Sequence, residues 1–478
     1  MRSEESHPDT IRQLSQIHQR QEIDGLKCAI DGGRSADTRS LSSDFIPKSD
    51  GGGLLLREIE KRIGILRQFA ACFTDYRNPD LIEHTVKELV AQRAYGLALG
   101  YEDLNDHEEL RNDPLLAVLV EKADPGSQVL AGKSTLNRLE LTKETASRKE
   151  RYKKIVLDHG AVDRLLVEVF LQAHREEPKE IILDLDATDD PLHGKQEGRF
   201  FHGYYGHYCY LPLYIFCGEF LLCARLRASN IDASAGSVEE LKRIVEQIRS
   251  AWPLVRMVVR GDSGFCREEL MAWCEANRVE YLLGLAKNER LKAEIAQEQK
   301  EAQARYQETG RAARLFKEFV YQTRKSWSRA RRVVAKAEHL EKGENPRFVV
   351  TSLRREAWPA QTLYEEHYCA RGDMENRIKE QLMLFSDRTS THYLRSNQLR
   401  LYCSSIAYVL LQMLRRLGLA GTELAKAQCS TIRLKVLKIG ALIRITVRKV
   451  WISLAGGYPY VDLFRQVYEK LCAVPLKH

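Results

Sequence analysis

Long apolar runs are missing from this sequence. Leu211–Phe216 and Ala407–Leu411 are among the longest, far below the roughly 20 residues a membrane-spanning helix requires, so no membrane partner is expected. The first fifty residues are polar and hold no apolar core of a secretion signal, so a cytoplasmic location is expected. Among eleven cysteines there is no Cys-x-x-Cys pair, and the count is odd. Zinc-type spacing is therefore absent, and a disulfide framework is not expected. The cysteines read as reduced, mostly buried small hydrophobes. Acids are missing from two stretches. Arg324–Lys336 carries Arg324, Lys325, Arg329, Arg331, Arg332 and Lys336, and Ala427–Val461 carries Arg433, Lys435, Lys438, Arg444, Arg448 and Lys449.

The net charge of +8 agrees with a polyanion partner, and the acid-free stretches localise it. Arg329, Arg331 and Arg332, close to Tyr321 and Trp327, are expected to contact a nucleic-acid backbone.

At 478 residues the chain is long enough for two or three structural units. Residues 1–50 lack hydrophobic periodicity and end in Ser49-Asp50-Gly51-Gly52-Gly53, which reads as a poorly ordered or atypical tail and linker. Residues 51–175 read as an all-helical domain, with Leu54, Leu55, Ile59, Ile63 and Leu66, then Ile82, Val86, Leu89, Val90 and Leu97, at helical spacing. A third helix runs through Val162–Phe170. The pattern changes at Glu180. Strand-like runs at Ile181–Asp186, Tyr208–Cys217 and Phe220–Arg227 precede a helix at Val238–Trp252, a strand at Arg256–Arg260, a helix at Glu268–Asn277 and a strand at Tyr281–Leu285. That order predicts an α/β, ribonuclease-H-like catalytic core over 176–390. It carries a β-rich insertion at about 288–360, and a long helix begins near Gln361. Residues 391–478 form a C-terminal region with a helix at Asn397–Leu417. There the alternation of Ile443, Ile445 and Val447 with Arg444, Thr446 and Arg448 predicts a basic strand.

Three carboxylates stand where chemistry can use them. Asp186 ends the first core strand and Asp262 the fourth, so both emerge at one edge of the predicted sheet. Glu375 lies on the late helix. Hard carboxylate oxygens suit Mg²⁺, and a pair of such ions can activate an attacking oxygen and stabilise a leaving one. An aspartate at a strand end is also common as a turn or cap residue. Asp184 shares a face with Asp186, and Asp189-Asp190 follow, so the residues leave the first ligand open. Asp186 is preferred for its place at the strand terminus. Gly132-Lys133-Ser134-Thr135 is set aside as a nucleotide site, because Ser127 stands where a phosphate loop needs glycine and no strand leads in.

Tyr368-x2-Arg371-x3-Glu375 resembles the helix signature of DDE-type bacterial insertion-sequence transposases. Arg371, Glu375 and Lys379 fall at i,i+4 spacing on one face. Asp186-Ala-Thr188, Arg260-Gly-Asp262-Ser-Gly-Phe265, His202–Leu213, Leu97–Asn105 and Ala131–Asn137 extend the likeness from about Gly51 to the C-terminus, and together they resemble the branch called transposase DDE domain group 1. The resemblance implies a metal site of Asp186, Asp262 and Glu375 holding two Mg²⁺ ions, with Mn²⁺ as a substitute. It also implies double-stranded DNA at terminal inverted repeats and at a target as the partner, a homodimer on DNA, and cleavage followed by strand transfer. Such a protein would work on the bacterial nucleoid. Tyr368, Arg371 and Lys379 are expected to touch DNA. One departure is Leu382, where the broader signature has lysine; Lys379 is the stand-in on that face. Two rivals are a nuclease that cuts without joining and an inactive, domesticated DNA-binding protein.

Overall fold

The computed structural model describes residues 46–125, 128–445 and 450–476. Most of the expected tail (1–45), Cys28, Ser127 and the Thr446–Lys449 part of the basic strand lie outside the described residues. The chain divides into two compact units. One takes Met1–His159, Glu380–Arg388 and Tyr402–His478; the other takes Gly160–Lys379 and Thr389–Leu401. The C-terminal segment, expected as a region of its own, is thus shared between them. Among the described residues no helix is long and apolar enough to cross a membrane, and no disulfide forms.

The first unit is helical but not all-helical. Phe73–Asp75 pairs with Ile155–Leu157, and Ile46–Lys48 pairs with Ala441–Ile445, itself paired with Val450–Leu454. Local chemistry sets the helix ends. Thr85 and Glu88 form a reciprocal capping box at Val86–Leu99, and Gly100 closes that helix in the left-handed region at φ 100°. The glycine run read as linker is instead tightly packed. A Cβ on Gly52 would lie 1.9 Å from the Val436 carbonyl oxygen, and one on Gly51 would lie 2.6 Å from Leu454 Cδ2. Asp50 is buried, accepting from the Tyr101 hydroxyl at 2.6 Å and pairing with Lys438 at 2.6 Å. Residues 46–53 therefore belong to the fold, because strand partners nearly 400 residues away in sequence supply the packing. Lys133 opens the short helix Lys133–Glu140, and the Glu108 carboxylate accepts its backbone N–H at 2.8 Å. A carboxylate, not a phosphate loop, thus meets that helix end.

The second unit is a mixed α/β body. Its strands and helices include β1 (Glu180–Ala187), β2 (Phe200–His202), β3 (His207–Tyr210), β4 (Leu213–Cys217), β5 (Phe220–Arg225), α1 (Ser237–Ala251), β6 (Arg256–Gly261), α2 (Glu268–Ala276), β7 (Glu280–Leu285), β8 (Ala313–Tyr321), β9 (Arg331–Leu340), β10 (Arg347–Thr351) and α3 (Gly372–Leu382). One sheet runs in the order β8-β9-β10-β7-β6-β1-β4-β5. β1, β6 and β7 are mutually parallel neighbours, and the remaining pairs are antiparallel. α1 buries Leu241, Ile244, Val245 and Ile248; each such side chain contributes roughly 1.5–3 kcal/mol.

Three differences from the sequence reading have physical causes. Tyr208–Cys217 is two strands, because Pro212 lacks an N–H for a continuous ladder. The insertion does not stand apart: β10 pairs with β7, so the insertion strands extend the central sheet. The late helix is not uniform. A π-helical turn at Leu363–Tyr368 and a tight turn at Cys369–Arg371 precede α3. Wide π turns of this kind occur mostly as local bulges and are frequent at functional sites.

Candidate active site

β1 and β6 lie parallel in register, Arg260 opposite Asp184 and Gly261 opposite Leu185. The next residues are Asp262, just past the end of β6, and Asp186 on β1, so both stand at the same end of strands about 4.8 Å apart. Asp186 Oδ1 accepts the Ala187 backbone N–H at 2.9 Å, which fixes the carboxylate plane. Asp262 caps the turn Ser263–Phe265 by accepting the Gly264 N–H at 2.8 Å. The cap reading and the site reading of Asp262 are thus compatible, since its second oxygen has no such duty there.

Arg371 joins the third carboxylate to the first. Its Nη1 lies 3.4 Å from Asp186 Oδ2, and its Nη2 lies 3.1 Å from Glu375 Oε1. Met374 and Ile378 anchor α3 by burial, which leaves Glu375 and Lys379 on the opposite, exposed side. Burial pushes the Asp186 carboxyl up to about 6, Arg371 pulls it down, and the negative charges of Asp262 and Glu375 add to the rise.

Asp184 is placed differently from Asp186 on β1. Arg260 donates to both of its oxygens, Nε to Oδ1 at 2.5 Å and Nη2 to Oδ2 at 2.7 Å, and also to the His367 carbonyl. Asp184 is 4% exposed and Arg260 6%. The pair is internal, with each Asp184 carboxylate oxygen engaged by the guanidinium. Asp189 bonds to His207 at 2.7 Å, and Asp190 accepts from the Thr389 hydroxyl at 2.8 Å.

Tyr368, expected to touch DNA, is partly buried. Its ring lies 5.5 Å from that of Tyr364, against the core formed by Val258, Leu282, Val334 and Val349. Its hydroxyl approaches Gly284 on β7 so closely that a Cβ there would lie 2.5 Å from it. That Cβ would also meet Ser263 N at 2.9 Å. Gly284 therefore lets the late helix and the Asp262 turn close on each other. The sequence reading missed it, since a single glycine inside an apolar strand signals only some close approach.

The basic stretch divides. Arg329 is exposed and 3.8 Å from Glu275. Arg331 is 4% exposed and held by Glu268 at 2.6 Å and Glu275 at 2.8 Å. Arg332 pairs with Glu318 at 2.6 Å and donates to the Leu353 and Trp358 carbonyls. Tyr321 and Trp327 are buried against each other with Arg331 over the indole. The donors of Arg331 and Arg332, expected to meet phosphates, are engaged in this structure by internal acids and carbonyls.

The three carboxylates suit a hard divalent cation in kind, and the Asp186 carboxyl is raised first by its burial, with the charges of Asp262 and Glu375 adding to it. Among the described residues, however, no three acidic, histidine or cysteine side chains lie close enough together to hold a metal. The Arg371 guanidinium takes the cationic place between two of the three carboxylates.

No curated protein is significantly similar to the chain in sequence. Among solved structures, the piggyBac transposase in a synaptic complex with hairpin DNA is similar at a TM-score of 0.41 and 11% identity, over 89% of this chain and 80% of that one; no individual residue is assigned from so remote a likeness. The profile of the family described as transposase DDE domain group 1 matches residues 47–476. With that match running through both units, the chain belongs to the transposase DDE domain group 1 family.

Proposed function

We propose that this transposase cleaves the strands at the terminal inverted repeats of its mobile element and joins them to target DNA, through a ribonuclease-H-like catalytic unit. Asp186, Asp262 and Glu375 would hold two Mg²⁺ ions, or Mn²⁺ in their place. Bound there, such ions supply Lewis acidity at the scissile phosphate and an activated attacking oxygen. The chain's own residues prepare this. The Ala187 and Gly264 amides orient the two aspartates. Arg371 holds Asp186 and Glu375 together before DNA arrives, and with exposed Lys379 and Arg329 it offers positive charge to the phosphates. The helical unit is the proposed reader of the repeats, and a homodimer would bring two ends together.

The observation that supports this most is the parallel register of β1 and β6 beside the Arg371 bridge to Glu375. The test uses terminal-repeat DNA with Mg²⁺. Asp186→Asn, Asp262→Asn and Glu375→Gln should each lose strand cleavage while gel-shift binding persists. Full cleavage by any one variant removes that residue from the site. A pre-cut end that is never joined to a plasmid by the wild-type protein would support a nuclease instead.

A further inference from the structure

Directly after Asp186 the chain folds into a small three-stranded sheet of β2, β3 and the pair Asp190–Pro191. β2 and β3 form a hairpin with Phe201 opposite Tyr208 and His202 opposite His207, closed by Gly203-Tyr204-Tyr205-Gly206. Its surface is unusual. Phe200 is 42% exposed, Phe201 59%, Tyr204 86% and Tyr208 43%. Only two other phenylalanine or tyrosine side chains among the described residues, Tyr152 and Tyr393, are comparably exposed. Exposed aromatic clusters are costly in water and mark interaction sites.

The hairpin is also tied to the catalytic edge. The Tyr205 hydroxyl donates to the Ala187 carbonyl at 3.4 Å, and His207 bonds to Asp189 at 2.7 Å. Tyr204 meets Tyr205 in a T-shaped contact at 5.0 Å and stays 86% exposed. Nothing lies within 4 Å of a Cβ built on Gly203 or Gly206, so the space beside the tip is open. Residues 198–210 carry no acid, and the Arg199 guanidinium lies 3.7 Å from the Tyr208 ring centroid. Flat rings, a stacked guanidinium, histidines and no acid within the hairpin's own residues together match the way proteins hold unpaired nucleic acid. There, base–aromatic stacking adds to backbone attraction and tolerates any sequence.

We propose that the Phe200–Tyr210 hairpin is a stacking platform for unpaired nucleobases of the DNA strand lying at Asp186, with Tyr204 taking a base on its exposed face. The inference rests on the DNA-transposition reading above and adds a substrate form, a locally opened DNA end. Stacking of one base corresponds to at least about a fivefold gain in affinity.

The test binds the full chain in EDTA to three probes: a blunt duplex, the same duplex with one mismatched end, and that end with abasic sites in place of the unpaired bases. The wild type should prefer the mismatched end at least fivefold over both others. Tyr204→Ala and Phe201→Ala, both at exposed positions, should reduce that preference to parity and leave blunt-duplex affinity unchanged. Tyr204→Trp should retain it. Equal binding of the abasic and base-bearing ends would overturn the proposal, because flexibility and not stacking would then be recognised. So would an undiminished preference in Tyr204→Ala. Sedimentation of each variant adds a further arm: self-association lost in Tyr204→Ala with no end preference in the wild type would make the hairpin a protein interface. Failure to bind any of the three probes would count against the DNA reading itself, whereas equal binding of all three overturns only the platform.

Discussion

Asp184→Asn should unfold the second unit more readily, whereas Asp186→Asn two residues later should not. Arg260 donates two charge-assisted bonds to Asp184 at 2.5 and 2.7 Å, with Asp184 4% and Arg260 6% exposed. Removing one partner of a buried pair leaves the other charge desolvated, at a cost of about 3–5 kcal/mol. Asparagine keeps one acceptor oxygen, and Arg260 keeps its bond to the His367 carbonyl, so the lower end, about 3 kcal/mol, applies. For a unit of this size that corresponds to roughly 6–12 °C in melting temperature. Asp186→Asn removes a carboxylate that is already disfavoured by burial and by Asp262 and Glu375, and it loses only a long 3.4 Å contact to Arg371. Its expected effect on stability is within about 0.5 kcal/mol. The assay is a thermal melt of each full-length variant in EDTA, paired with Mn²⁺ titration by calorimetry. Asp184→Asn should be unstable yet bind the ion below its melting temperature, and Asp186→Asn should be stable and fail to bind. An Asp184→Asn protein as stable as wild type that has lost the ion would refute the reasoning and move the first ligand to Asp184.

Arg331→Ala should cost roughly 2–4 kcal/mol, because two acids lose a buried partner, and should leave the salt dependence of DNA binding as it was. Arg329→Ala should do the reverse, lowering the slope of log K against log salt by about 0.9; chemical denaturation and filter binding separate the two. The His107 imidazole, buried between Gln92 and Arg93, is pushed down to about 3 by burial and then by the Arg93 charge. The native state therefore resists protonation, whereas the unfolded chain takes up a proton below about 6.5. Stability should thus be full above that pH and fall as pH drops toward 3, by about 2 kcal/mol at pH 5. Melts at pH 7.5 and pH 5 should show a smaller difference in His107→Gln, and an equal one would rule out His107 as the cause. Gly52→Ala puts a methyl group against the Val436 backbone and should cost roughly 4 kcal/mol or more; an unchanged melting temperature would show that the strands around it can give way.

Short-range physics made much of this protein legible from its sequence. Alternating and continuous apolar runs placed β1, β6, β7 and the helices between them within a residue or two, because strand and helix periods are local properties of the chain. Asp186 and Asp262 were visible for the same reason, since each ends a recognisable strand. The Arg371–Glu375 pair followed from helical spacing, and the 3.1 Å contact reflects that spacing. What pairs with what over hundreds of residues was not legible. A run of glycines reads as linker until Val436 is brought against it. Acid-free basic residues read as a nucleic-acid surface until Glu268, Glu275 and Glu318 fold over Arg331 and Arg332. Asp184 and Asp186 are alike in sequence, and only the parallel register that sets Arg260 opposite Asp184 makes one an internal ion pair and leaves the other at the sheet edge. Charge and hydrogen-bonding capacity are properties of a residue, but whether they are spent inside or offered outside is decided by neighbours that tertiary structure alone supplies.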